Sequence, residues 1–320
     1  MRATFTQEQL EIAKTVRSLV EGEGVTARDA LEGGWRAPAC DGPLLRDFGL
    51  LGVPEPAGGI GSDLIDLLVA VEVLGEHLVP SRFPAHAAAV QLLSGSPLPE
   101  DVLSGERVLT PAMDGPSLVR YAAQADGLAV LRPRGVGIAA VTGVVPRQSL
   151  DPSVPLSDVT LAGPAEVTPA GAGPWRAILV VAAELCGVAQ GAIDLAAEQA
   201  RTREQFGRVI GSYQGVAFQL AEAATVRKAA WDLTLYAGWA VDNGRADAEI
   251  QVHAAKAAAG RAAVFAAERC IQVHGGMGIT MEADPHLFLR RALVLDAVLG
   301  SGASHRRRVG ALRVAAHSSK

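Results

Sequence analysis

Residues 201–210 read RTREQFGRVI, and this polar run decides the fold because it separates two long apolar segments of helical periodicity. These segments cover about 175–203 and 212–243, and a third covers about 247–273. Apolar residues recur in all three at spacings of three and four, which is typical of helices that bury one face. Long helices joined by short connections pack antiparallel, so the sequence predicts a helical bundle.

A fourth helix, predicted at about 284–298, completes a four-helix bundle, and a last helix after Ser301 ends this part, residues 173–320. Its many alanines allow the helices to approach closely. The pair Gly275-Gly276 ends the third long helix, in positions suited to a C-terminal cap.

Residues 1–107 predict an N-terminal helical domain. Thr6 is placed to cap a first helix, and Gln9, three residues later, completes a capping box. Ser62 or Asp63 is placed to cap a strongly amphipathic helix.

Residues 108–172 change character, because Gly and Pro recur between short β-type runs at 128–131, 136–141 and 154–160. This predicts a small middle β domain, short of the roughly 100 residues of an independent sandwich. The predicted fold class is therefore mainly α, with a truncated β domain between two helical parts.

Composition excludes several function classes. The net charge of −5 argues against a nucleic-acid binder, which needs a basic face. The most apolar stretch, about 177–197, contains Glu184, Gln190 and Asp194, so it predicts a buried core helix and no membrane span. The three cysteines are an odd number without a C-x-x-C pair, which indicates a cytoplasmic protein with no disulfide framework and no metal site.

Two motifs in the C-terminal part are candidates for binding a phosphorylated cofactor. In the first, Arg201, Arg203 and Gln214 offer donors for phosphate, and Phe206 could cover an aromatic ring. The alternative is an ordinary helix junction with surface arginines. In the second, at 272–280, paired glycines let a backbone approach a ligand closely. The alternative there is a helix cap followed by a turn.

Together the two motifs resemble the acyl-CoA dehydrogenase family, which shows R-x-x-F-G, a Gln eleven residues after its Arg, and later Q-x-x-G-G-x-G. Here these are Arg203, Phe206-Gly207 and Gln214, then Gln272 with Gly275-Gly276 and Gly278. Residues 44–61 and Glu72–Gly75 also resemble N-terminal stretches of the family. The order helical domain, β domain, helical bundle is the family's order.

The resemblance implies an FAD enzyme that desaturates an acyl-CoA at Cα–Cβ, with FAD shared between neighbouring subunits. It implies contacts to the pyrophosphate and adenosine end of that FAD from Arg203, Gln205, Phe206, Gln214, Gln272, Gly275 and Gly276.

The catalytic base departs from the family pattern. The two positions where the family carries a Glu read Leu299 and Ala177 here, and neither side chain accepts a proton. Glu184, Glu282 and Asp284 are other candidates, with an ion pair or helix capping as their alternative roles. The family's flavin-contacting stretch in the β domain has no counterpart.

These departures predict one subunit of a heterotetramer whose partner, a second acyl-CoA dehydrogenase chain, supplies the base. The chain resembles the short subunits of heterotetrameric bacterial sterol-degradation acyl-CoA dehydrogenases, which suggests a steroid-derived CoA thioester as substrate. By the same resemblance, an electron-transfer flavoprotein accepts the electrons. Two alternatives stay open: a self-sufficient homo-oligomer with a non-standard carboxylate base, and a non-catalytic helical scaffold.

Overall fold

The computed structural model describes residues 4–22, 25–113, 115–162 and 167–318. Helices form the N-terminal part: α1 (Gln7–Glu21), α2 (Asp29–Gly33), α3 (Asp41–Asp47), α4 (Leu64–Glu76), α5 (Phe83–Leu93) and α6 (Glu100–Leu103).

The predicted helix caps are found at both sites. The Gln9 N–H donates to Thr6 Oγ1 at 3.2 Å and the Thr6 N–H donates to Gln9 Oε1 at 3.0 Å, which confirms the capping box of α1. Asp63, rather than Ser62, caps α4. The Ser62 hydroxyl instead accepts a hydrogen bond from the Gly52 N–H at 2.8 Å.

The middle part consists of two small sheets. The strands are β1 (Leu109–Ala112), β2 (Val119–Arg120), β3 (Gly127–Arg132), β4 (Gly135–Ala139), β5 (Val141–Arg147) and β6 (Leu156–Leu161). In the first sheet, of order β1-β3-β4, β1 is parallel to β3 and β4 is antiparallel to it. In the second, of order β2-β6-β5, all pairing is antiparallel.

The predicted strand at 136–141 was wrong in its extent, because β4 ends at Ala139 and a separate strand, β5, begins at Val141. Most side chains of β5 are exposed, so its sequence lacks the alternation that a half-buried strand shows.

The C-terminal part contains α7 (Gly173–Thr202), α8 (Gln214–Asp242), α9 (Ala248–His274), α10 (Pro285–Ala297) and α11 (Gly302–Ser318), close to the predicted helices. A short hairpin of β7 (Glu204–Gln205) and β8 (Arg208–Val209) lies between α7 and α8.

Helix α7 is the core of the molecule and packs against α4, α5, α8, α9 and α10. It is long and apolar enough to cross a membrane, but 78% of its most apolar 18-residue window is buried inside the protein. This burial fits the predicted core helix.

Candidate functional site

The two predicted cofactor motifs lie at the same end of the bundle. Because α7, α8 and α9 follow one another through short connections and pack together, the end of α7, the start of α8 and the end of α9 meet there. We call this region the loop end, comprising the hairpin 204–209, the first turn of α8 and the turn 275–279.

Phe206 is presented outward by a strained turn. It has a φ of 53°, and Gly207 after it has a φ of 80°. Two successive left-handed residues between paired strands form a hairpin turn of the type that favours Asn or Gly. A bulky residue pays a conformational cost in this region, and such strain is concentrated at functional sites. Phe206 is 94% exposed, so the turn directs its ring away from the body of the protein.

The polar residues of the first motif are exposed as well. Within the described part of the chain, the Arg203 guanidinium and the Gln214 side-chain amide have no hydrogen-bond or ion-pair partner. Gln205 differs, because its side-chain amide donates to the Glu204 carbonyl at 2.7 Å. Its own carbonyl accepts a hydrogen bond from the Tyr213 hydroxyl at 3.1 Å. The hairpin is thus hydrogen-bonded to the residue that precedes α8. The Arg203 side chain takes no part in these bonds and can bind an anion.

The second motif forms an open backbone surface. Gly275 has φ 61° and ψ −136°, a conformation that only glycine adopts readily. A Cβ added to Gly275 or Gly276 would meet no atom within 4 Å in the described chain. The chain's own packing therefore does not require Gly276 to lack a side chain, whereas a closely approaching ligand would. Gln272, one turn earlier, is exposed and has no side-chain partner among the residues described.

Sequence reasoning missed Gly215, the residue after Gln214. It lies in the first turn of α8, and a Cβ there would also meet nothing within 4 Å. Glycine weakens a helix by about 1 kcal/mol relative to alanine. A helical glycine next to a candidate ligand residue could therefore have indicated from the sequence that a ligand approaches the backbone here.

The two expected base positions are apolar and buried. Leu299 is 7% exposed, packs in the main hydrophobic core and has a φ of 54°. Ala177, near the start of α7, is fully buried in the same core. The chain therefore offers no proton acceptor at either position.

Glu184 lies in a buried ion network. Its carboxylate accepts a hydrogen bond from Arg120 Nη1 at 2.7 Å, and Arg291 Nη1 lies 4.0 Å away. Arg291 in turn binds Asp151 and donates to Ser153 Oγ at 2.7 Å. Two guanidinium groups compensate this buried carboxylate, so the geometry favours the structural role of Glu184 over the role of a base.

Arg120 and Arg291 could not be identified from the sequence. Arg291 follows Arg290 in a run that predicts a solvated helix face, yet its side chain is buried. It donates to the backbone carbonyls of Leu78 and Val79 as well, and so connects α10 to the N-terminal part.

The remaining acidic candidates are surface groups. Asp284 sits at the N-cap position of α10 without a capping hydrogen bond. Its carboxylate instead pairs with Arg28, whose Nε donates at 2.7 Å. Glu282 is exposed and has no side-chain partner within the described ranges. Among the described residues, no group of three or more possible metal ligands occurs, and this includes His274 and His286.

A family model and the relatives of similar sequence all point to the acyl-CoA dehydrogenases. Residues 177–312 match the family model "Acyl-CoA dehydrogenase, C-terminal domain". The chain is 35% identical to acyl-CoA dehydrogenase FadE34 of Mycobacterium tuberculosis over 98% of its own length and 49% of that protein, so it spans about half of this relative. It is 30% identical to acyl-CoA dehydrogenase IpdE2 of the same organism, with 75% of each chain covered.

Solved structures agree with the mainly α fold. The chain resembles a chain of the ChsE4-ChsE5 complex of Mycobacterium tuberculosis with a TM-score of 0.82 and 23% identity, covering 97% of this chain and 98% of that one. It resembles a chain of a variant of the Tcur3481-Tcur3483 steroid ACAD with a TM-score of 0.83 and 25% identity, covering 98% and 99%. These likenesses confirm the fold predicted from the sequence.

Proposed function

Because this chain belongs to the acyl-CoA dehydrogenase family, we propose that it is one subunit of a heteromeric acyl-CoA dehydrogenase in which a second chain supplies the catalytic base. Members of this family are FAD-dependent flavoproteins. Bound FAD supplies the hydride acceptor for desaturation of an acyl-CoA at Cα–Cβ. The observation that carries the proposal is that buried Leu299 and Ala177 occupy the expected base positions, so this chain has no base there. Its cofactor motifs nevertheless remain and face outward.

The residues of the loop end fit the phosphate-bearing part of FAD. Arg203 offers a fork of donors to a phosphate, and its guanidinium has no competing partner in the described chain. Gly275 and Gly276 leave an open backbone cradle for close approach. Phe206 provides a flat apolar face beside an aromatic ring.

The outward direction of these groups supports a shared cofactor. They line the surface of this chain rather than an internal cleft, so a second molecule must cover the other side of the ligand. Between the middle domain and α7, the Arg120–Glu184 ion pair occupies the interior. Opposite charges packed there favour structural closure over binding an acyl chain.

Exposed apolar side chains at and beside the loop end support a protein partner. Phe218 is 66% exposed and Ile279 77% exposed, and Met277 and Met281 are also more than half exposed. Apolar groups that cluster on a surface mark interaction sites, and methionines adapt well to a partner. The chain spans about half the length of its relative FadE34.

We propose a steroid-derived CoA thioester as the substrate, since one similar solved structure is a steroid ACAD. An electron-transfer flavoprotein as electron acceptor is proposed from the family resemblance. A cytoplasmic location is proposed from the absence of a cysteine framework and the burial of α7.

The test is a native mass and a flavin absorbance spectrum, measured on the chain alone and on the chain co-expressed with a neighbouring gene product of the same family. We expect little flavin alone and about one FAD per pair of chains in the complex. A yellow homo-oligomer with one FAD per subunit would instead establish the self-sufficient enzyme. A complex without flavin would establish the scaffold.

A further inference from the structure

The loop between α10 and α11, residues 298–301, is held in a strained form by hydrogen bonds from two side chains. Leu299 has a φ of 54° and Gly300 a φ of 96°. Lys256 Nζ, reaching from α9, donates to the carbonyls of Asp296 at 2.9 Å and Gly300 at 3.1 Å. His305 on α11 bonds the Leu299 carbonyl through Nε2 at 3.0 Å.

The tautomers of two histidines follow from these contacts. A carbonyl only accepts, so His305 Nε2 carries a proton and, in the neutral ring, Nδ1 is an acceptor. His305 Nδ1 lies 2.6 Å from His253 Nδ1. His253 therefore donates from Nδ1, and its bare Nε2 faces Glu249 Oε1 at 3.9 Å.

Adding protons to this arrangement has two different effects. The first proton enters His253 Nε2, beside the Glu249 carboxylate, and leaves every hydrogen bond intact. A second proton has to enter His305 Nδ1. Two N–H groups would then point at each other across 2.6 Å, so the rings must separate and His305 must shift away from the Leu299 carbonyl.

We propose that the His253–His305 pair is a proton-operated latch on the α10–α11 loop, closed with at most one added proton and released by the second. Release allows the left-handed residues of the loop to relax, because the backbone strain there persists only while its neighbours hold it.

The charged surroundings set where the latch opens. Burial lowers the pKa of His305 to about 4, and the nearby Lys256 cation and His253 act in the same direction, against Asp296. Burial also lowers the pKa of His253, with Glu249 opposing this shift and Arg308 adding to it. Once the loop opens and the ring is solvated, its pKa returns toward the ordinary 6.5.

The sign of the effect follows. Between pH 6.5 and about 4, the open loop binds a proton that the closed loop does not, so acid favours opening. At about pH 4.5 these two values correspond to an opening constant about 50- to 100-fold larger than at neutral pH.

Hydrogen exchange of the amides in 298–302, corrected for the intrinsic rate, tests the latch in the purified protein at about pH 7 and about pH 4.5. We expect the opening constant to rise by that factor. In H305Q, the Gln side-chain amide takes the place of the imidazole Nε2 as donor to the Leu299 carbonyl but does not titrate, so the rise should fall below about fivefold. In H253Q the opposing ring is gone, and the rise should shrink as well.

The exposed His317, also on α11, provides the matched control, and H317Q should keep the full rise. The latch is refuted if H305Q and H253Q both open as readily in acid as the parent. It is also refuted if the loop amides exchange together with core amides of α9, because this would show global unfolding rather than local release. Should H305Q fail to fold, H253Q decides.

Discussion

Arg203 is the residue whose chemistry can be separated most cleanly from the fold. Its guanidinium has no partner in the described chain, so substitution should not affect the free energy of unfolding. Losing a charge-assisted bidentate contact should weaken FAD binding about 10- to 100-fold in R203Q, and R203K should recover only part of it. Titration of the reconstituted complex with FAD measures both.

Arg201, two residues earlier, is the control for charge. It lies on the surface and approaches Glu198 at 3.5 Å. R201Q should bind FAD like the parent within about threefold. Equal losses in R201Q and R203Q would mean that only the general charge of the region matters.

Gly276 tests the open cradle. Its φ is not left-handed, and a Cβ would meet no atom of the described chain within 4 Å, so G276V should fold normally. The side chain would occupy the space left for the cofactor, and the flavin content of the complex should fall about tenfold. Gly310 on α11 is equally open, and G310V should retain its flavin.

A normal flavin content in G276V would show that the ligand does not approach this backbone. A loss of flavin in G310V as well would show that the readout reports assembly in general. Comparing Tm for the two variants separates either result from misfolding.

Glu184 distinguishes a structural carboxylate from a base. E184Q removes the charge that compensates Arg120 and Arg291, so we expect the free energy of unfolding to fall by about 3 kcal/mol. The double variant R120M/E184M should recover part of this loss. It removes both charges of the pair, so neither is left buried without its partner. Chemical denaturation measures these differences. Unchanged stability in E184Q together with a loss of turnover above about 100-fold would identify Glu184 as the base.

The contact between α4 and α7 depends on glycines. A Cβ on Gly187 would lie 1.9 Å from the Glu72 carbonyl oxygen, and one on Gly191 would lie 2.1 Å from the Glu76 carbonyl oxygen. On α4, Gly75 is similarly close to the Glu184 carbonyl. The backbones of α4 and α7 are therefore in direct contact at these glycines. A side chain at any of them would push the two helices apart.

We expect G187V to lower the free energy of unfolding by about 3 kcal/mol or more, because the clash is with backbone atoms. Its control is G215A on α8, where a Cβ meets nothing and alanine should raise helix stability by up to about 1 kcal/mol. Thermal denaturation of the chain compares them. If G187V is as stable as the parent, then α4 and α7 can move apart at little cost in free energy.

A hydrogen bond between the N-terminal part and the middle part contributes to the stability of the whole molecule in acid. His86 on α5 accepts a hydrogen bond at Nδ1 from the Leu109 N–H of β1 at 3.0 Å, and burial lowers its pKa to about 4. The unfolded chain binds a proton at this histidine below about pH 6.5, while the folded chain does not until about pH 4. The free energy of unfolding should therefore decrease as the pH falls through this window, by up to about 3 kcal/mol.

H86Q removes this titration, so its stability should change less than the parent's between about pH 6.5 and about pH 4. Denaturant titrations at several pH values give the slope, and H317Q serves as the exposed control. Parallel curves for H86Q and the parent would show that His86 does not contribute to acid sensitivity.

Prediction from the sequence succeeded where information is local. The capping box of α1 and the long helices of the bundle follow from residues that are neighbours along the chain, and so does the order of the three parts. Strand β5 was missed because no face of it is consistently buried. The roles of the cofactor residues remain predictions, although the structure brings their helix ends to one place.

The sequence by itself determined the helical periodicity, the caps, the family motifs and the apolar residues Leu299 and Ala177 at the expected base positions, because each depends on residue type at fixed spacing. Only the tertiary structure decided that Glu184 is paired with Arg120, since the two residues lie 64 positions apart along the chain. It also decided that Arg291 is buried and that Arg203 is exposed. Burial and charge compensation arise from contacts between distant segments, which no local pattern encodes.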